Sequence, residues 1–315
     1  MMNKVIILLG PTGVGKTEVS ILIAKALGTE IISADSMQIY KGMDIGTAKL
    51  SEAQRISYKH YMIDSVSPAE PFSVGRYIED VTPIIEELHR RGKIPIVAGG
   101  TGLYIKAMTR GIFSGPSADW KLREELASLE EGQDGALYSY LLELDPEAAS
   151  KIMPADTRRI IRAIEVCLKT KQGMSELQQK LTRPLPYEFI KIGLTRDRKE
   201  LYKMIEERVD KMIEAGFVDE VKSLIERFTS SPIHPLTALQ AIGYKEIAMY
   251  LNGEIPLEEA IRLTKRSTKR YAKRQYTWFN KEEDIHWIDT TGIQDVNEIF
   301  KRAWKILDGL INKAG

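Results

Sequence analysis

The chain is poor in the residues that build disulfide frameworks and metal cages: among 315 residues there are one cysteine and four histidines. Cys167 alone excludes an internal disulfide framework and any cysteine-based zinc site. It falls in the helical pattern Thr157–Lys169, where a small core residue is expected rather than a nucleophile. His60, His89, His234 and His286 are scattered without metal-ligand spacing and read as structural or surface groups. No apolar run approaches the roughly 20 residues that span a bilayer, and the N-terminal run is too short and poorly flanked for a signal peptide. A cytoplasmic protein with no membrane partner is expected. An excess of charge is lacking too, since 45 Lys and Arg stand against 44 Asp and Glu.

That balance would argue against a nucleic-acid partner, but the distribution reverses the inference. Arg262, Lys265, Arg266, Lys269, Arg270, Lys273, Arg274 and Lys281 follow one another with no acidic residue among them. The first seven repeat at helical spacing and form one basic stripe, with Tyr271, Tyr276, Trp278 and Phe279 in or just after it. A solvated basic face is one reading. A polyanion footprint is the other, favoured because positive charge concentrated on one face is costly unless something negative meets it.

What is present in strength is the octapeptide GPTGVGKT, Gly10 to Thr17, directly after the apolar run Val5-Ile6-Ile7-Leu8-Leu9 and before a helical pattern ending at Leu27. The spacing G-x-x-x-x-G-K-T is a complete phosphate-binding P-loop in its required context. Gly10, Gly13 and Gly15 let the backbone around Pro11, Thr12 and Val14 curl so that N–H groups point at an anion, and Lys16 adds a point charge. Thr17 would place its hydroxyl on a magnesium ion. The loop alone does not choose between ATP, GTP and another diphosphate.

Further apolar runs ending in polar or glycine-rich turns lie at Glu30–Ser33, His60–Ile63 and Ile94–Ala98, the sign of parallel strands buried on both faces. Helical patterns separate several of them, including Tyr77–Arg91, where Pro83 is expected to kink the helix or shift its start. The predicted fold is α/β, a P-loop type parallel sheet flanked by helices, with an all-helical insertion domain. The insertion comprises Asp119–Leu129, Ala136–Leu144, Pro146–Ile152, Thr157–Lys169 and Met174–Lys180, giving a core of residues 1–115 and 185–315 and a helical domain of 116–184. Strand pattern returns at Phe189–Leu194. Helices are predicted at Arg198–Ala215, Val218–Phe228, Leu236–Leu251 and Leu257–Trp278, then a strand at His286–Ile288 and a terminal helix.

Ligands of such sheets gather at the carboxyl ends of the strands. The run Ile94–Ala98 ends in Gly99-Gly100-Thr101-Gly102 with no carboxylate for magnesium, and Asn280-Lys281-Glu282-Glu283 fails the guanine-specifying pattern at its last position. Both gaps weaken the ordinary nucleotidase and GTPase readings. The second strand offers Asp35, which reads as a magnesium ligand, a general base or a helix cap, followed by Ser36 and Gln38, which could hydrogen-bond a planar heterocycle. Asp64 reads as a turn residue.

GPTGVGKT, ISADSMQIYKGMDIGTAK from Ile32 to Lys49, VAGGTGLYIKAM from Val97 to Met108 and YAKRQYTWF from Tyr271 to Phe279 together resemble the bacterial tRNA dimethylallyltransferase (tRNA isopentenyltransferase) family over nearly the whole chain. The resemblance implies that the loop holds dimethylallyl diphosphate, and that the prenyl group passes to the exocyclic amine of the adenine 3′-adjacent to the anticodon in tRNAs reading codons that begin with U. It implies Asp35 as general base, Thr101 as the group positioning the amine, Arg208 as a cation on the leaving diphosphate and magnesium as cofactor. Contacts to the tRNA anticodon stem-loop would come from Asp35, Ser36, Met37 and Gln38, from Thr101 and Arg123, from Arg159, Ile160, Ile161, Arg162 and Ala163, and from Gln240, Ala241, Ile242, Gly243, Tyr244 and Lys245. The enzyme is expected to act as a monomer. A P-loop small-molecule kinase and a nucleotide-binding RNA switch are the competing readings.

Overall fold

In the computed structural model, which describes residues 3–51, 54–55, 58–228 and 237–312, the chain divides into two compact units, 1–105 with 186–315 and 106–185. The first unit opens with β1 (Lys4–Leu9), every residue of it buried, then α1 (Lys16–Leu27), β2 (Ile31–Ala34) and the two-residue β3 (His60–Tyr61). Next come α2 (Val74–Arg90), β4 (Ile96–Gly99) and α3 (Gly102–Thr109). α2 begins three residues before the predicted start because Ser73 caps it, its Oγ accepting from the Arg76 N–H at 3.2 Å. Pro83 lies inside this helix rather than at its start.

The second unit is helical: α4 (Trp120–Gly132), α5 (Ala136–Leu144), α6 (Pro146–Lys151), α7 (Thr157–Thr170) and α8 (Met174–Leu181). Aspartates 119, 145 and 156 cap α4, α6 and α7. Leu126, Leu137, Leu141, Ala149, Ile160, Ala163 and Ile164 form a core belonging to this unit alone. The unit begins before the Gly115-Pro116 turn because residues 108–111 pack with 183–185: Leu185 N–H donates to the Met108 carbonyl at 3.0 Å, and a Cβ on Gly111 would lie 2.3 Å from the Arg183 carbonyl oxygen.

The chain returns to the first unit with β5 (Glu188–Thr195), α9 (Arg198–Glu214) and α10 (Phe217–Phe228). The predicted helix Leu236–Leu251 starts outside the described residues. Its remainder is a 3-10 turn (Thr237–Gln240) and α11 (Tyr244–Leu251), interrupted where Gly243 takes φ +90°. Then follow α12 (Leu257–Phe279), β6 (Ile285–Asp289) and α13 (Val296–Ile311). The six strands form one parallel sheet in the order β3-β2-β4-β1-β5-β6. Ile6 and Leu8 of β1 join Val19 and Ile23 of α1, Leu201 and Ile205 of α9, and Ala303 and Leu307 of α13 in the main core. The sheet reverses strand order around β1 and β4, so the turns after β1, β2 and β4 open onto one crevice. Among the described residues no helix is long and apolar enough to cross a membrane.

Candidate active site

The first of these turns is the P-loop. Gly10 has φ +148°, and a Cβ there would sit 2.5 Å from the Leu194 carbonyl oxygen of β5, so only glycine lets the loop lie against that strand. Gly15 takes φ +95° as the residue that opens α1. The Lys16 ammonium donates to the carbonyls of Gly10 at 2.9 Å and Pro11 at 2.8 Å. Burial lowers its pKa to about 8, with the Asp35 charge pulling the other way and Arg208 adding to the fall.

Arg208 on α9 reaches the same loop, donating from a terminal nitrogen to Thr12 Oγ1 at 2.7 Å. Burial pulls its pKa down, and the charges of Asp35 and Glu18 oppose that. Its Nε is buried without a hydrogen-bond partner among the described residues. An unpartnered buried donor costs about 1–3 kcal/mol, which an anion seated on the loop would relieve.

The second turn carries Asp35. Its Oδ1 accepts from the N–H groups of Met37 at 2.9 Å and Gln38 at 3.3 Å, but residues 36–39 form a turn and not a helix, so one carboxylate oxygen caps a turn where a helix cap was one of the expected roles. The third turn carries Thr101, whose Oγ1 accepts from Ser36 N–H at 3.0 Å while its own N–H donates to the Ala34 carbonyl at 3.1 Å. The ends of β2 and β4 are therefore locked together. Gln38 completes this side: its Nε2 donates to the Thr47 carbonyl at 3.2 Å. One cavity of about 570 Å³ is lined by Thr12, Gly13, Val14, Gly15, Lys16, Thr17, Asp35, Gln38 and Arg208, a size suited to a small ligand.

Two residues of the motif YAKRQYTWF belong to this site, a role that the sequence did not assign them. Gln275 of α12 is buried, accepts from Thr12 N–H at 2.8 Å and donates to the Gly100 carbonyl at 2.9 Å, joining the P-loop to the β4 turn. Tyr271 touches the side chains of Thr101 and Gln275, and burial raises its pKa. The available signal was a glutamine on the otherwise small and apolar stripe Ala260, Thr264, Thr268, Ala272, Gln275, Phe279. Asp64 takes no part in the cavity: Lys49 at 2.5 Å and Arg55 hold it in a structural ion pair.

The basic stripe of α12 is not a continuous unpaired face. Lys265 pairs with Asp210 at 2.6 Å and Lys269 with Glu206 at 2.5 Å, both acids on α9, and Arg262 with Glu259 at 2.6 Å. Arg266, Arg270, Lys273 and Arg274 are exposed and pair with no carboxylate among the described residues. Of the seven cations on the α12 stripe, the candidate footprint keeps these four; Lys281 lies beyond the helix end.

The other residues named by resemblance separate by burial. Ala241, Gly243 and Tyr244 are buried, and the Tyr244 hydroxyl donates to Glu220 at 2.6 Å, whereas Gln240 and Lys245 are exposed and Ile242 is half-buried. In the helical unit the Ile160 and Ala163 side chains are core, with Ile161 packed against them, so only Arg159 and Arg162 of that segment offer charge at the surface. Arg159 caps back to Asp156 at 2.8 Å. The buried Glu165 carboxylate accepts from Arg123 at 2.8 and 3.1 Å and from Arg162 at 2.5 Å. Cys167 is buried, His234 lies outside the described residues, and no group of three metal-ligating side chains occurs among the described ones.

This geometry has close relatives. The tRNA dimethylallyltransferase of Thermodesulfovibrio yellowstonii is 57% identical over 316 residues, 99% of this chain and 100% of the relative. The one of Thermotoga maritima is 45% identical over 96% of this chain and 98% of its own. Among solved structures, the full-length tRNA isopentenylpyrophosphate transferase of Bacillus halodurans superposes with TM-score 0.70 at 40% identity, over 98% of this chain and 97% of that one. A eukaryotic dimethylallyltransferase acting on tRNA superposes with TM-score 0.81 at 32% identity, over 99% of this chain and 80% of its own. Nothing in these likenesses supports a small-molecule kinase. The IPP transferase family pattern matches residues 38–282, running from Gln38 in the cavity through Arg208 and Gln275 to just past the end of α12, and the chain belongs to that family.

Proposed function

We propose that the protein transfers the dimethylallyl group of dimethylallyl diphosphate to the exocyclic N6 amine of the adenine 3′-adjacent to the anticodon, in tRNAs reading codons that begin with U, and releases diphosphate. The observation that carries the reading is one cavity in which the phosphate loop with Lys16 and Arg208 faces a carboxylate, Asp35, at the end of the neighbouring strand, with the Thr101 hydroxyl bonded to Ser36 N–H beside it.

As the allylic carbon leaves, negative charge builds on the diphosphate and cationic character on carbon. Lys16, Arg208 and the N–H groups of the P-loop stabilise the departing anion in a partly water-excluded site. The N6 lone pair is delocalised into the purine ring, so the amine needs to lose a proton as the C–N bond forms. Asp35 accepts that proton, and Thr101, fixed through Ser36 and Ala34, holds the amine. The bond between carbon and the bridging oxygen breaks with its electron pair leaving on diphosphate. The adenine must leave its stack to enter the cavity.

A magnesium ion fits the donor set: Thr17 and Asp35, both with oxygen donors, line the same cavity. Thr17 would hold it with the diphosphate. When bound, it would offset charge on the leaving group. All groups in this scheme come from one chain, and we read the protein as a monomer acting in the cytoplasm.

The test is label transfer from isotopically labelled dimethylallyl diphosphate to unmodified tRNA carrying adenine beside the anticodon, with magnesium and without ATP. Label in the tRNA is the expected result. Its absence, with ATP consumed when small hydroxylated acceptors are supplied, would replace this reading with a kinase.

A further inference from the structure

The segment Met43–Thr47 ends at Thr47, which lines the cavity, and it is held by a group far from it in sequence. Glu220 of α10 accepts from the N–H groups of Asp44 at 2.9 Å and Ile45 at 2.7 Å on one oxygen, and from Gly46 at 3.1 Å and the Tyr244 hydroxyl at 2.6 Å on the other. Gly46 is pressed onto the same elements: a Cβ there would lie 2.2 Å from the Phe217 ring and 2.6 Å from the Tyr244 ring. Thr47 closes the loop by donating from Oγ1 to the Met43 carbonyl at 2.6 Å. Its own carbonyl then meets Gln38 Nε2 at 3.2 Å.

That last bond decides what Gln38 can do. A carbonyl only accepts, so the amide must turn its NH2 toward Thr47. Oε1, with the Ser33 hydroxyl 3.4 Å away, is left as the amide atom that can accept from a ligand in the cavity. An acceptor there suits the exocyclic amine of adenine and opposes the carbonyl that guanine or hypoxanthine carries at the same ring position. We propose that Glu220 is a positioning residue for base recognition: by gathering three backbone donors of the 44–46 loop, it places the Thr47 carbonyl that sets the Gln38 amide against the acceptor base. This rests on the transfer reaction proposed above.

A carboxylate is required for this gathering. Four donors share two acceptor oxygens, and an amide at the same place keeps one acceptor and turns a donor toward N–H groups. The experiment uses the full chain and unmodified anticodon stem-loop RNA, comparing wild type with Glu220→Gln. The KM for RNA is expected to rise about tenfold, the scale of a lost charge-assisted hydrogen bond. The KM for dimethylallyl diphosphate should change less than about twofold. A stem-loop with inosine at the target position serves as competitive inhibitor: wild type should bind it more weakly than the adenine stem-loop, and that preference should shrink in Glu220→Gln. Tyr244→Phe, which removes one of the four donors and keeps the ring, should move the same readings in the same direction by less, and it stands in if Glu220→Gln fails to fold. A lower melting temperature with unchanged RNA KM and unchanged adenine preference would make Glu220 a structural residue only and overturn the proposal. No transfer to RNA by wild type would instead overturn the reaction itself.

Discussion

Lys16 carries two opposed requirements, since it must be charged to hold a diphosphate and enclosed to do so without competing water. The outcome is a pKa of about 8, set first by burial. Below that pH the free protein presents an ammonium; above it the loop presents a neutral amine. The KM for dimethylallyl diphosphate is therefore expected to be flat from pH 7 to about 8 and to rise above it, by up to about tenfold per unit. Lys16→Arg, with a guanidinium that stays charged, should abolish the rise even if its affinity is lower; a flat wild-type profile to pH 9.5 would show that the ammonium is not what binds. Asp35 acts on the other half of the reaction. Asp35→Asn keeps the acceptor oxygen for Met37 and Gln38 but loses the base, and kcat should fall about 10²- to 10⁴-fold with RNA affinity little changed. Near wild-type turnover would remove Asp35 from that role. Both residues were legible in the sequence, Lys16 through the complete phosphate-loop spacing after a buried strand and Asp35 because it directly follows one. Gln275 was not, because its two bonds, to Thr12 and Gly100, cross 263 and 175 residues of chain and leave no local pattern.

At the scale of elements, the strands and most helices follow from apolar periodicity, with boundaries displaced where a cap or a glycine decides. Ser73 extends α2 toward its N-terminus and Gly243 cuts the predicted Leu236–Leu251 helix short. α12 shows what periodicity cannot reveal. Its basic spacing is real, yet which cations are free depends on α9, whose Asp210 and Glu206 take up Lys265 and Lys269. Such partly exposed pairs contribute only about 0–1 kcal/mol each to stability, so their larger effect is to withdraw charge from a ligand. If the free arginines meet RNA phosphates, Arg270→Gln and Arg274→Gln should each weaken RNA binding and reduce the slope of log affinity against log salt by about 0.7. Lys265→Gln should leave that slope unchanged. Equal slopes for all three variants would mean that this face of α12 is only solvated.

The whole molecule joins a sheet that concentrates chemistry at one edge to a helical unit with its own core. The sheet order was not legible in the sequence, because the crossover that sends β4 between β2 and β1 is made by long-range pairing, Ile6 with Ile96 and Ile31 with the same residue. The helical block was visible as an interruption of the α/β pattern, but its N-terminal limit was not, since the bond from Leu185 to Met108 draws residues 106–115 into it. That bond also makes a test at this scale possible. Chain entry and exit lie side by side, so residues 110–184 can be replaced by a linker of about four glycine and serine residues without stretching the chain. The P-loop, Asp35, Thr101, Arg208 and Gln275 all belong to the remaining unit, and the main core contains no residue of the helical one. The shortened protein is expected to bind dimethylallyl diphosphate with an affinity within about threefold of the full chain by calorimetry, the change expected when no contact to the ligand is lost. It should bind anticodon stem-loop RNA at least about tenfold more weakly if the exposed Arg159, held only by an exchangeable surface pair to Asp156, and the surface around it meet the RNA backbone. In the full chain, Arg159→Ala should give a smaller loss in the same direction. Unchanged RNA affinity in both would confine RNA recognition to the sheet unit and its α12 cations, and lost diphosphate binding in a folded, shortened protein would show that the helical unit shapes the donor half as well.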